Sequence, residues 1–175
     1  MAFTLYDASV RTYLQILGAV SGLVDKAEAF AAARNLDPKE VLEARLAPDM
    51  FNFAKQVEQC VHHSVGSLEG VRAGQFSPSL VPPPADFASL KALVENAIEQ
   101  LKTVVPDEVN FLADKDTDFV FGERRMPFTG ADFLMSFSLP NFYFHATASY
   151  AILRMLGADV GKRDFMGMPR MKPRA

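Results

Sequence analysis

Apolar residues recur at three- and four-residue spacing along most of this chain, the period of helices with one buried face. The first such pattern starts near Thr4 and carries Val10, Tyr13, Leu14, Leu17, Val24, Ala27 and Ala31 on one face. Gly18 and Gly22 lie inside it, which implies close packing or a bend. Asp37, Pro38 and Glu40 then make a helix start, with a cap, a first-turn proline and an acid three residues on. Val41, Leu42 and Leu46 continue it only briefly, because Pro48 disfavours helical backbone at Ala47. A longer helix is predicted from about Asp49 to Val71, with Phe53, Val57, Cys60, Val61, Ser64, Val65 and Leu68 as its stripe.

The stretch AGQFSPSLVPPPADF has four prolines and reads as a loop or extended crossover. Asp86 caps the next helix, with Phe87, Leu90, Leu93, Val94, Ala97, Ile98 and Leu101 on one face and Pro106 at its end. Residues 107–113 allow one more helical turn. Asp118–Phe121 and Arg125–Phe128 read as two short strands turning at Gly122-Glu123-Arg124, and Thr129 with Asp132 as a capped helical lead. Ser138 as cap, Pro140 in the first turn and Gly157 as stop frame the last helix. Its stripe is Phe142, Ala146, Ser149, Leu153 and Leu156. The pattern predicts an all-α chain: one domain over residues 1–162, an antiparallel four-helix bundle with a small β-hairpin before the last helix. From 163 to 175 the expectation is an irregular tail, basic at Arg163, Arg170, Lys172 and Arg174, that either frays or docks on an acidic body.

Composition narrows the function classes. A net charge of −3 over 175 residues speaks against nucleic acid as a partner. The lone Cys60 excludes an internal disulfide framework and suits a reducing compartment. No apolar run is long enough to span a bilayer, and the first residues lack a basic stretch followed by an apolar one. A cytoplasmic protein without a membrane partner is expected.

Candidate chemistry gathers on two helices. Asn141 and His145 stand one turn apart on the last helix, and Gln56, Cys60 and His63 share an adjoining face of the second. Cys60 and His63, at i and i+3, are placed for a histidine to lower a thiol pKa, although free cysteines usually serve as small buried hydrophobes. His145 on its own is by default a hydrogen-bonded core or cleft histidine, with general base or metal ligand as the functional alternative.

The run LPNFYFHATASYAILRMLG followed by GKRDF, together with RLAPDMFNFAKQV at Arg45–Val57, resembles a bacterial family of unknown function in the DinB/YfiT-like helical-bundle superfamily. The resemblance covers nearly the whole chain and weakens in the Met-rich tail. It implies an up-down-down-up bundle, often dimeric, in which many members hold a divalent metal through three histidines and some are thiol-dependent transferases. Carried over, His145 falls on one metal histidine while Asn141 and Gln56 take the places of the other two. Neutral amides are poor ligands for zinc or nickel, so no metal cofactor is expected, and His145 is the residue that would hold one if present.

Two functions follow. One is a homodimeric small-molecule-binding or structural module whose site is a metal-free remnant, with Gln56, Asn141, His145, Cys60 and His63 as candidate ligand-binding residues. The other is a metal- or thiol-dependent transferase or hydrolase using His145 with Gln56 and Asn141. The dimer is also suggested by Phe111, Phe119, Phe133 and Phe137, apolar residues outside the four stripes.

Overall fold

The computed structural model describes residues 2–172. Thr4 and Asp7 form a capping box that opens α1 (Leu5–Ala8), which leads directly into α2 (Val10–Arg34). α2 runs unbroken through Gly18 and Gly22, and nothing lies within 4 Å of a side chain at either, so the close packing expected there is absent. Asp37 and Glu40 close the predicted capping box on α3 (Pro38–Leu42). The next helix starts later than its sequence suggests. Asn52, not the Pro48 turn, caps α4 (Phe53–Val61) by accepting from the Lys55 N–H. α4 passes through a π-helical turn, His62–Gly66, into α5 (Ser67–Ala73).

The crossover is not wholly loop. Gln75–Phe76 form β1, which pairs parallel to β2 (Asp116–Phe121), itself antiparallel to β3 (Arg124–Thr129). The expected hairpin thus has a third strand, and the fold is mostly helical with a small sheet rather than purely α. Between the strands lie α6 (Phe87–Lys102), capped by Asp86, and α7 (Pro106–Phe111), which Pro106 starts rather than merely precedes. Phe119 and Phe137 pack partly buried beside Phe76 and the fully buried Phe133, so three of the four phenylalanines left outside the helical stripes belong to the layer beneath the sheet. Phe111 alone among them remains free, 87% exposed.

Thr129 caps α8 (Gly130–Asp132), where Gly130 is obligatory because a Cβ would lie 2.0 Å from the Leu112 carbonyl oxygen. The helix then continues through a π-helical stretch, Phe133–Ser138, into α9 (Leu139–Leu156). Ser138 is therefore not a cap: its backbone is helical, at φ −70 and ψ −47. A proline inside a helix removes one N–H and crowds the carbonyl four residues back, and the π stretch widens the helix immediately before Pro140. Gly157 ends α9 in the left-handed region at φ 90. The tail is not irregular from Arg163 as expected. It forms α10 (Lys162–Met166), which packs on α2, with Lys26 paired to Asp164 at 2.8 Å and Gln15 donating to the Met166 carbonyl. Arg174 lies outside the described residues. α2 packs chiefly on α6, and α4 on α9, with α4–α6 and α2–α9 contacts joining the two pairs.

Candidate functional site at the α4–α9 seam

Two cross-helix contacts fix how α4 and α9 meet. Gln56 faces His145, and His63, seven residues later, faces Ser138, seven residues earlier. Rising numbers on one helix meet falling numbers on the other, so the pair is antiparallel. Seven residues are close to two helical turns, which puts both pairs on one seam.

The Gln56 Nε2 donates to the Phe51 carbonyl at 3.2 Å. A carbonyl only accepts, so this fixes the amide's orientation and turns its Oε1 toward the His145 Nδ1, 2.7 Å away. That oxygen also only accepts, so Nδ1 carries the proton and Nε2 keeps its lone pair. Among the described residues His145 Nε2 has no hydrogen-bond partner and no buried side-chain nitrogen or oxygen lacks one, so this atom reaches water. The residue as a whole is only 7% exposed. Burial pulls its pKa down to about 4, partly opposed by the Glu58 carboxylate and aided by His62 and Lys55. At neutral pH it is an uncharged acceptor with the rings of Phe51 and Phe144 beside it.

His63 stacks on His145 with ring centroids 5.6 Å apart. Burial, then the neighbouring His145 and His62, pull its pKa down to about 3. The Ser138 hydroxyl donates to the His63 carbonyl at 2.9 Å and leaves its lone pairs toward the His63 Nδ1, 3.5 Å away. This partnership joins the two π segments, and the sequence offers one trace of it, the matched seven-residue spacings.

The other predicted residues are placed differently. Asn141 spends its amide N–H on the Phe137 carbonyl at 2.7 Å, at the Pro140 break, and makes no hydrogen bond to Gln56 or His145. Cys60 is fully buried, its thiol directed to the Gln56 carbonyl at 3.3 Å and not hydrogen-bonded to His63. Burial, with Glu58 adding to it, pushes that thiol far above its ordinary pKa, which leaves it unreactive. A buried network on the outer side of α4 has no counterpart in the sequence reading. Glu58 accepts from Lys55, Gln59 and Ser79, while Lys55 also donates to the Ser79 and Val81 carbonyls and holds the crossover down. Its one sequence signal is Lys55–Glu58 at i, i+3 beside an apolar stripe.

Residues 5–166 match the family described as a domain of unknown function, DUF1993. The chain belongs to that family. No curated protein matches it. The fold of this DUF1993 chain is similar to the crystal structure of a DinB family member protein from Shewanella denitrificans, with 28% identity, a TM-score of 0.78, and coverage of 97% of this chain and 96% of that one.

The three-histidine metal site implied by the DinB resemblance does not fit the donors this DUF1993 chain presents. Both ends of the Gln56 amide are engaged, the Asn141 nitrogen is engaged elsewhere, and His145 Nε2 alone remains as a strong donor of that set. Among the described residues no three or more His, Cys, Asp or Glu side chains gather around a common point.

Proposed function

We propose that this protein is a DinB-like antiparallel four-helix bundle that works as a cytoplasmic homodimer and binds a small molecule at His145 without a metal. The observation that supports binding is the Gln56–His145 hydrogen bond, because it aims an uncharged imidazole lone pair at water from a buried position. Such an acceptor recognises a ligand's O–H or N–H group, and Phe51 and Phe144 would flank the ligand's apolar part. Support for the dimer comes from the exposed Phe3, Phe111 and Phe121, large apolar side chains that a lone chain leaves in water.

The same lone pair supports the second reading, a transferase or hydrolase step with His145 as general base held by Gln56. The thiol of a transferase would have to arrive with a co-substrate, since Cys60 is sealed. Asn141 would act there only after leaving the Phe137 carbonyl.

Ligand-observed NMR with a set of small alcohols, amides and amines tests the binding site. Hits are expected with the wild type, to be lost in His145→Ala and weakened in Gln56→Leu. Hits that survive His145→Ala overturn the site. Calorimetric titration of tag-free protein with zinc is the second arm, and tight binding lost in His145→Ala would replace the metal-free reading with the metal-dependent one. A single-chain mass in light scattering would remove the dimer.

A further inference from the structure

A cavity of about 450 Å³ lies between α4, its π turn, α6 and the proline-rich crossover. His145 does not line it; His62 does. The His62 Nε2 lies 2.9 Å from the Ser77 carbonyl, which only accepts, so Nε2 holds the proton and Nδ1 the lone pair. Among the described residues Nδ1 has no hydrogen-bond partner, and it is not sealed from solvent. Burial lowers the His62 pKa, which keeps the ring uncharged in neutral water.

The space beside that nitrogen is kept by Gly66. A methyl group there would stand 3.1 Å from His62 Nδ1, tighter than an ordinary contact. The backbone at Gly66 is plainly helical, at φ −59 and ψ −33, so its conformation does not require glycine. The walls are apolar at Val65, Leu93 and Pro82, and Glu69 stands at the rim with no ion pair among the described residues. Among the described residues no Lys or Arg lines the cavity, and the Glu58 carboxylate that lines it is already engaged by three donors.

We infer that this cavity binds a small alkylammonium ion, its N–H groups donated to His62 Nδ1 and the Glu69 carboxylate and its alkyl chain laid against Val65, Leu93 and Pro82. The lining selects that charge. A carboxylate or phosphate ligand would meet the Glu69 carboxylate and, among the described residues, no lining Lys or Arg, since Lys55 is already paired with Glu58; an alcohol has one proton for two acceptors. The volume is that of a pocket for a small molecule, not for a protein segment.

The test uses hexylammonium, hexan-1-ol and hexanoate as probes on the full chain, followed by histidine ¹⁵N NMR and calorimetry. Hexylammonium is expected to bind saturably and to move the His62 Nδ1 resonance, while the neutral and anionic probes do not bind. Affinity should fall by about tenfold or more in Gly66→Ala and Glu69→Gln, the scale of one charge-assisted hydrogen bond. It should be unchanged in His145→Ala, so failure here and failure at the His145 site are told apart. Circular dichroism checks that Gly66→Ala is folded, and if it is not, Glu69→Gln decides alone. Absence of saturable binding, equal binding of hexanoate or hexan-1-ol, or indifference to the rim and Gly66 substitutions would overturn the assignment.

Discussion

The two main helix pairs bury comparable apolar stripes but differ in what runs between them. On α2 and α6 the fully buried Leu17, Val20, Val24, Leu90, Val94 and Leu101 are hydrocarbon, and the polar link between the two helices, Lys91 to the Ser21 carbonyl and Asp25, is made by a partly exposed side chain. Between α4 and α9 the seam carries Gln56, His63, Ser138 and His145, each nine-tenths buried or more. Hydrocarbon packing is non-directional and tolerates small shifts, whereas each polar group in the second seam needs a partner at one distance and angle. The first pair supplies adhesion. The second supplies register, and it holds the acceptors a ligand could use.

The largest effect expected from breaking this contrast lies on the apolar side. Leu90→Ala should cost about 2–5 kcal/mol through lost burial and the cavity left behind, read as a fall in the urea midpoint. That loss should be the same at pH 7 and pH 5, and a pH-dependent loss would mean the two seams are not separate.

On the polar side Gln56→Leu should cost about 1–3 kcal/mol, because it strands the His145 Nδ1–H. The double variant Gln56→Leu, His145→Leu should cost less than the sum of the two singles, since it removes both partners. Additive costs in urea unfolding would sink the claim that the pair acts as a unit.

Acid should act on this seam selectively. In the unfolded chain the imidazoles take up protons below pH 6.5, but in the fold only below about 4 for His145 and about 3 for His63. Between those limits the unfolded state binds more protons, so stability is fully present above pH 6.5 and is lost as pH falls. Wild type should lose about 1–2 kcal/mol more than His63→Gln between pH 7 and pH 5. Equal losses in the two proteins would show that His63 is not buried uncharged.

Ser138→Ala should have the smallest effect, about 1 kcal/mol, by freeing the His63 carbonyl. A shift of the His63 ring resonances should accompany it, and an unchanged spectrum would mean that the serine does not join the seam.

Much of this was legible in the chain. The apolar period marks the main helices, and the caps Asp37, Asp86 and Thr129 are legible because they act locally, with partners within three residues; the start of α4 at Asn52 and the helical Ser138 before α9 are not. Gly122 and the alternation around it marked the hairpin, and the Gln56–His145 pair was reachable through the family resemblance. What escaped depends on distant chain. Gln75–Phe76 become a strand only because β2 arrives beside them. Asn141 stands one turn from His145, yet Pro140 and the π stretch give its amide a nearer acceptor at Phe137. His63 was read against Cys60, its helical neighbour, whereas its ring found His145 across the seam.

The π turn at His62–Gly66 sets the phase of the whole helical run. It accommodates one residue more than an α turn does, so everything beyond it is rotated relative to a continuous helix by about 100°, the angle of one residue. Upstream, α4 lies along α9; downstream, α5 lies against β1, with Gly70 so near Phe76 that a Cβ would come within 2.9 Å of it. One continuous rod thus serves two clients on different faces, a helix and a sheet, with a single surplus residue as the gear between them. Removing that residue should leave both halves helical and uncouple what they face.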